Sequence, residues 1–422
     1  FLPTIGRGYS EADEAASNKR RAMVHAQGVY HYLCARAWCG NVDSFLQQYT
    51  GFNRGEFDQF YADQGGDRGF LFGESRNHQG DREDGDNKQR RRIRGTMADR
   101  DRVLCWLMML RKNYAFYQMA DMWGPSASTF ERDFQWMTVQ ATTWAPLNAE
   151  HNWPSEAERR AQGDFLREVA HPDMGNVVFI VDGTKALMRQ PLKPRDGITP
   201  DPTQEVNDKH YSANKGLGYS HQVYCNMRGM ILRVETGKGA DSDRAAYNTS
   251  PVYTDPTRFL SEGEVGMGDG NYMGEARADT GEGMCVPIRG AHLTQVQLAY
   301  NSAQRRIRVV VENCIGQIKK FLVVGGGKFR HSRDFEPTVF EVCAKLTSRI
   351  MRVRNAYPRS NQWMWDQLET WEAKLGVFLW FDYEDAESYL IHGLGADILY
   401  QQKTEGDATL LQTRWNEVWD MY

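Results

Sequence analysis

One short segment of the sequence constrains the fold more than any other. Residues 176–182 (NVVFIVD) form a near-continuous apolar run that ends in a carboxylate. Such a run is typical of a buried strand that carries the acid at its exposed tip. Strand-like segments at 221–226 and 230–235 flank Met227-Arg228-Gly229, which predicts a hairpin. A further short strand is predicted over 265–269, and it again ends in an acid.

A helix is predicted after these strands. Residues 304–320 contain no proline, and their apolar positions have the spacing of an amphipathic helix: 307, 310, 311, 314, 315 and 318. Strands followed by helices predict an α/β fold in which helices cover the faces of a mixed sheet.

The segment before this α/β region is all-helical in pattern. Asp99 opens a helical pattern, and a short second helix is predicted over 117–123, ended by Gly124-Pro125. Ser126 is suited to cap a third helix that runs to about Thr138. This layout is that of a helix-turn-helix, and an ordinary three-helix bundle is the alternative. In the first case the last helix offers four side chains to a DNA groove: Ser128, Thr129, Glu131 and Arg132.

Charge and polarity mark the boundaries of the chain's regions. Between Glu74 and Arg94 the only apolar residue is Ile93, which predicts a linker. Its end, KQRRRIR, carries five cations, either as a phosphate-contacting arm or localisation signal, or as the solvated flank of the next helix. Residues 360–422 hold twelve acids, three cations and six tryptophans. This tail is either a surface for a partner or a second copy, or an extension packed on the preceding domain.

Two classes of protein are excluded by composition. No apolar run approaches the ~18 residues of a membrane span, so no membrane association is predicted. The seven cysteines are odd in number and form no CxxC pair, which argues against a disulfide framework and a zinc knuckle.

Three carboxylates stand where metal chemistry would need them. Asp182 and Asp269 end predicted strands, and Glu312 lies on one flank of the predicted helix with Arg305, Arg308 and Lys319 close beside it. Acids that bind a divalent metal beside cations that meet phosphates suit a site for phosphodiester chemistry. Each acid also has an ordinary explanation. The two aspartates can be turn residues before glycine, and Glu312 can be half of an i, i+4 pair with Arg308.

The motifs around these acids resemble the DDE superfamily of endonucleases, and most closely the PIF/Harbinger-type transposases. The first acid lies in Asp182-Gly183-Thr184 with Pro191 downstream, and the second lies in the GDxxY segment Gly268 to Tyr272. The third lies in a VExxxGxxK pattern after a YN...R stretch, formed by Tyr300, Asn301, Arg305, Val311, Glu312, Gly316 and Lys319. The segment Gly239 to Asp243 departs from the family's GSxHD, since Ala240 replaces Ser and Ser242 replaces His. That departure puts a role for this loop in doubt.

The resemblance implies an RNase H-like catalytic domain in which Asp182, Asp269 and Glu312 are both catalytic and metal-binding. It implies two Mg²⁺ or Mn²⁺ ions per site, double-stranded DNA as substrate, a Myb-like partner protein and a nuclear location. A homodimer is expected from the acidic, tryptophan-rich tail and not from the resemblance. The candidates for DNA contact are, in chain order, Arg90, Arg91, Arg92, Ser128, Thr129, Arg132, Lys185, Lys215, Arg305, Arg308 and Lys319.

The expected function is a metal-dependent DNA transposase that cuts element ends and joins 3' ends to target DNA. The alternatives are a DNA-binding protein of the same fold that no longer cuts, and a nuclease without strand transfer. Five regions are expected: an N-terminal helical region (1–73), the linker (74–95), the helix-turn-helix region (96–150), the catalytic domain (176–355) and the acidic tail (356–422).

Overall fold

The computed structural model describes residues 28–36, 42–67, 69–72, 97–189, 206, 209–212, 216–273 and 284–354. The N-terminal part is helical, with α1 (Val29–Arg36), α2 (Val42–Thr50), α3 (Arg54–Asp63), α4 (Asp99–Lys112), α5 (Phe116–Trp123), α6 (Ala127–Thr143), α7 (Ala145–Asn148) and α8 (Glu156–Val169). No helix in these ranges is long and apolar enough to cross a lipid bilayer.

The sheet follows α8. Its strands are β1 (Val177–Leu187), β2 (Tyr211–Ser212), β3 (Gly216–Cys225), β4 (Ile231–Gly237) and β5 (Val265–Met267). β1 lies between β3, to which it is antiparallel, and β5, to which it is parallel. The far side of β3 pairs with β2 and β4. The described sheet is therefore mixed, as the sequence predicted.

The remaining helices surround this sheet. Two short helices, α9 (Asp243–Asn248) and α10 (Pro251–Thr254), connect β4 to β5. They are followed after β5 by α11 (Gln295–Ile318), α12 (Leu322–Gly325) and α13 (Glu336–Arg354). The predicted apolar stripe of α11 is confirmed, because all six of its residues are buried.

The two faces of β1 contact separate apolar clusters. Ile180 belongs to a large cluster that also contains residues of α4, α6, α11 and α13, while Phe179 and Val181 belong to a smaller cluster with Tyr224. Alternation of side chains along a strand produces this division. A strand covered on both faces is what the apolar run predicted.

A buried polar contact joins α13 to the sheet. His221 of β3 and Glu336 at the start of α13 are both fully buried, and the His221 Nε2 atom lies 3.1 Å from both carboxylate oxygens. The His221 ring also stacks on Phe340, with ring centroids 3.7 Å apart. Removing either partner would leave a buried polar group unsatisfied, so this pair fixes the position of the helix.

Several predicted boundaries are wrong, among them the end of β5, which lies at Met267 and not at Asp269. Asp182 was expected at the tip of its strand, but β1 continues five residues further because β3 pairs with it as far as Leu187. The helix expected to begin at Gln304 begins at Gln295, where Thr294 and Gln297 form a capping box. The added turns are mostly exposed, so they carry no apolar stripe that sequence periodicity could detect.

The three helices expected from Asp99 to about Thr138 are present as α4, α5 and α6. The Ser126 side chain accepts a hydrogen bond from the Thr129 backbone N–H, as a helix cap does. α6 extends five residues beyond the expected end. Its buried side packs against α4 and α13, and Asp133 on that side accepts two hydrogen bonds of 2.7 Å from Arg102.

Candidate active site

The parallel pairing of β1 with β5 brings two of the three acids to the same edge. Ile180 and Met267 are register partners, and Asp182 and Asp269 each follow two residues later. Because β5 ends at Met267, Asp182 lies just where β1 loses this neighbour. The carboxyl ends of parallel strands meet at one edge of a sheet, so the two aspartates lie close together although 86 residues separate them in the chain.

Asp269 is held by local hydrogen bonds and by α11. Its carboxylate accepts from the backbone N–H of Asn271 at 2.7 Å and from the side-chain amide of Asn271 at 3.0 Å. The buried Gln304 on α11 donates to the carbonyl of Gly268 at 2.7 Å. The helix that carries the third acid therefore also anchors the loop that carries the second.

Arg308 connects Glu312 to this edge, because it contacts both Glu312 and Asp182. The Arg308 Nη1 atom lies 2.6 Å from Glu312 Oε1, which is the i, i+4 pair expected on a helix, and 3.6 Å from Asp182 Oδ2. One guanidinium nitrogen thus stands between the acid on the strand and the acid on the helix. The structural and the functional interpretations of Glu312 are both compatible with this contact.

The electrostatics of the site differ most from ordinary values at Asp182. Its pKa is raised to about 6, mainly by burial and to a smaller extent by the negative charges of Asp269 and Asp243. The backbone N–H of Gly183 and the Arg308 guanidinium act in the opposite direction. A carboxylate with this pKa holds its charge at a cost in the absence of a bound cation.

Asp243 is a fourth acid that sequence reasoning set aside. It is the first residue of α9, and a Cβ added at Gly183 would come within 2.1 Å of its Oδ1 atom. Residue 183 therefore has to be glycine for this aspartate to approach the strand beside Asp182. The signal was present in the segment Gly239 to Asp243, where the final Asp matches the family pattern although Ser242 and Ala240 do not.

Gln222 and Tyr272 lie behind the acids. The Tyr272 hydroxyl donates to the Gln222 side-chain oxygen, and both residues are buried. The charges of Asp243, Asp182 and Asp269 all raise the pKa of Tyr272, with burial as the larger cause. Tyr272 is therefore a neutral hydrogen-bond donor that closes the base of the site.

The donor chemistry of the site fits a divalent metal. Asp182, Asp269 and Glu312 offer carboxylate oxygens, the ligands that Mg²⁺ and Mn²⁺ prefer. In the described part of the chain, no three His, Cys, Asp or Glu side chains are gathered as a ready-made metal site. Between Asp182 and Glu312 the positive charge is supplied by Arg308 instead.

The candidates for DNA contact are placed in different environments. Ser128 and Arg132 on α6 and Arg305 on α11 are exposed, whereas Thr129, Arg308 and Lys319 are partly buried. Lys185 is buried, and its ammonium donates to the carbonyls of Gly216 and Gly239, the latter at 2.9 Å. That placement joins β1 to the start of β3 and to the turn after β4, and it does not present Lys185 at the surface. Arg90, Arg91, Arg92 and Lys215 lie outside the described residues, as does the acidic tail.

Comparison with known proteins supports the superfamily. Residues 197–348 match the family described as DDE superfamily endonuclease. The matched segment includes Asp269 and Glu312 and begins after Asp182. The resemblance to the DDE superfamily is thus confirmed over this segment, and the PIF/Harbinger subtype stays a prediction. No curated protein and no solved structure matches the chain.

Proposed function

We propose that this chain is a DNA endonuclease that cuts phosphodiester bonds at the edge formed by β1 and β5. The observation that carries the proposal is the equivalent placement of Asp182 and Asp269 two residues beyond a parallel register pair, with Glu312 joined to Asp182 through Arg308. The family match over residues 197–348 supports the same reaction class. We also propose that the mixed sheet and its flanking helices have an RNase H-like fold.

Divalent metal ions, Mg²⁺ or Mn²⁺, complete the proposed site. When bound, they lower the pKa of an attacking water and stabilise the leaving oxygen. Asp182, Asp269 and Glu312 would hold them. The protein's own contribution is to fix the two aspartates on neighbouring strands, to keep Tyr272 as a neutral donor behind them and to supply the Arg308 charge beside a phosphate.

The finer proposal is a transposase of the PIF/Harbinger type that cuts element ends and joins the freed 3' ends to target DNA. Exposed Ser128 and Arg132 on α6 support a contact between this helix and the major groove. A Myb-like partner and a nuclear location belong to the same proposal and rest on the resemblance of the motifs. A homodimer is proposed from the acidic, tryptophan-rich tail.

The test is metal-dependent nicking of duplex DNA by the purified full chain, with Glu312→Gln as the variant. A matched control is Glu341→Gln on α13. Both glutamates form i, i+4 ion pairs of 2.6 Å, and their side chains are 46% and 43% exposed. We expect wild-type protein and the Glu341 variant to nick DNA with Mg²⁺ or Mn²⁺, and the Glu312 variant to lose the activity while still binding DNA.

Two results would contradict this proposal. Equal nicking by both variants would mean that Glu312 forms a structural ion pair and has no catalytic role. DNA binding by wild-type protein without nicking at any metal concentration would favour the second candidate, a DNA-binding protein of the same fold that no longer cuts.

A further inference from the structure

A cleft of about 290 Å³ lies at the C-terminal end of α11, where four helical segments converge. Its walls come from α2, the end of α4, the C-terminal end of α11 and the last turns of α13. Polar side chains line much of it, among them Gln47, Gln317 and Thr347. These amides and hydroxyls accept or donate hydrogen bonds as a ligand requires.

Three cations line this cleft: Arg111, Lys320 and Arg354. Arg354 is neutralised by Glu56, which it contacts at 2.6 Å. Among the described residues, Arg111 and Lys320 have no carboxylate partner, and Arg111 instead lies over the Phe321 ring, 5.2 Å from its centroid. The cleft therefore carries excess positive charge and no acid of its own among its lining residues.

This excess charge is costly in the free protein. Burial lowers the pKa of Arg111, and the charge of Arg354 lowers it further. Burial also lowers the pKa of Lys320, which both arginines reinforce. Cations brought together without an acid repel one another, and a bound anion would relieve that repulsion.

The position of the cleft indicates which anion it takes. Lys320 follows Glu312 by eight residues, of which the first six lie on α11 and span roughly 9 Å of the helix axis at ~1.5 Å per residue. That length corresponds to about three nucleotides of a duplex strand at ~3.4 Å each. A strand cut near Glu312 could therefore present backbone phosphates to the cleft.

We propose that this cleft binds phosphate groups of the DNA strand that continues from the catalytic centre. The inference rests on the proposed endonuclease function. Arg111 offers a planar fork that suits a phosphate, and Lys320 offers a compact charge on a flexible stem. The result is a second point of attachment that fixes the register of the strand relative to Asp182 and Asp269.

The rival occupant is the acidic segment 360–422 of the same chain. Its negative charges are interspersed with six tryptophans. The cleft offers those rings little, because Phe321 is the one aromatic side chain among its lining residues and Arg111 already covers it. Phosphate chemistry fits the cleft better than an acidic aromatic peptide does.

The experiment compares two double variants of the full chain in their binding to duplex DNA at several salt concentrations. The test variant combines Arg111→Gln with Lys320→Gln. The control combines Lys112→Gln with Lys328→Gln, which removes the same charge at two lysines that do not line the cleft. If Arg111→Gln impairs folding, Lys320→Gln alone keeps the test, since Lys320 is exposed.

We expect the test variant to lose about two units of the slope of log affinity against log salt, and the control to keep the wild-type slope. Between 50 and 200 mM salt, wild-type protein should then lose roughly tenfold more affinity than the test variant. An unchanged slope in the test variant would overturn the proposal. Tighter DNA binding by that variant would also overturn it, because it would mean that the acidic segment occupies the cleft.

Inorganic phosphate separates this proposal from the endonuclease proposal. It should raise the Tm of wild-type protein above the value in chloride of equal ionic strength, and this gain should disappear in the test variant alone. If that loss is seen but wild-type protein binds no DNA, the cleft is an anion site and the DNA assignments of both proposals fail. If DNA is nicked while neither slope nor phosphate response changes, the endonuclease proposal stands and the cleft proposal fails.

Discussion

Two regions along α11 concentrate charge of opposite sign, and they are built differently. The acids at the sheet edge are fixed by strand register and by short hydrogen bonds to neighbouring backbone, as at Asp269. The cations of the cleft stand on long side chains from several segments, and Arg111 lies over an aromatic ring. The acid edge is arranged for exact placement of a reacting group, whereas the cleft is arranged to hold a strand.

The largest expected effect is on the nicking rate, and it distinguishes the catalytic role of the sheet edge from the DNA-binding role of the cleft. Asp269→Asn should lower the rate of single-turnover nicking by on the order of 10³-fold, because several kcal/mol of charge stabilisation depend on the metal that this carboxylate would hold. DNA affinity should change little. Lys320→Gln in the cleft should do the reverse, with affinity lowered a few-fold at 200 mM salt and the rate from bound DNA retained.

Asp164→Asn serves as the control for the aspartate variant, since this acid lies exposed on α8 in an ion pair with Arg167. Comparable losses of nicking rate in the Asp269 and Lys320 variants would contradict the assignment of catalysis to the sheet edge and of DNA binding to the cleft.

A smaller effect is expected on the free energy of unfolding, which should depend on pH through the protonation of Asp182. The folded state raises the pKa of Asp182 from its ordinary 3.8 to about 6, so the folded protein binds this proton more tightly than the unfolded chain does. Stability from this group is complete below pH 3.8 and is lost as pH rises through about 6. In metal-free protein, Asp182→Asn should therefore gain stability over wild type by up to about 3 kcal/mol between pH 4 and pH 7.5.

Denaturant unfolding at the two pH values measures this gain. Saturating Mg²⁺ should reduce it, because a bound cation stabilises the charged carboxylate of the wild-type protein. A stability difference that is the same at both pH values would show that Asp182 is not destabilised by its burial.

The smallest expected effect is a shift in the pH dependence of stability when Arg308, the cation between Asp182 and Glu312, is replaced. Arg308→Gln removes the positive charge that lowers the pKa of Asp182, so the pH-dependent loss of stability should move to higher pH. Arg305→Gln, an exposed residue three positions earlier on α11, should leave that midpoint in place. Both variants should make the salt dependence of DNA binding shallower by about one unit. A shift in the Arg305 variant as large as in the Arg308 variant would mean that the contact seen at Asp182 does not matter.

Local patterns in the sequence predicted the parts of this site that depend on local structure. The 3.6-residue period placed Glu312 beside Arg308 on the flank of α11, and the turn at Met227 to Gly229 predicted the hairpin of β3 and β4. Gly229 adopts a positive φ of 85°, which glycine tolerates without strain. Such features follow from residues that are neighbours in the chain.

The contacts between distant segments could not be predicted in the same way. The pairing of β5 with β1 joins residues 177–180 to 265–267, and no period or turn in the sequence encodes which strands become neighbours. The approach of Asp243 to Gly183 depends on where α9 packs, and the cleft needs four helical segments to converge.

The three-residue strand β5 limits how this protein can change in length. The loops of the connection from β4 to β5 can change in length outside α9 and α10, since loop length costs little free energy. A single residue inserted between Val265 and Asp269 would instead turn Asp269 to the opposite face of the sheet, away from Asp182 and α11. Loop lengths between the two aspartates can thus vary, but the length of the short stretch that sets their register cannot.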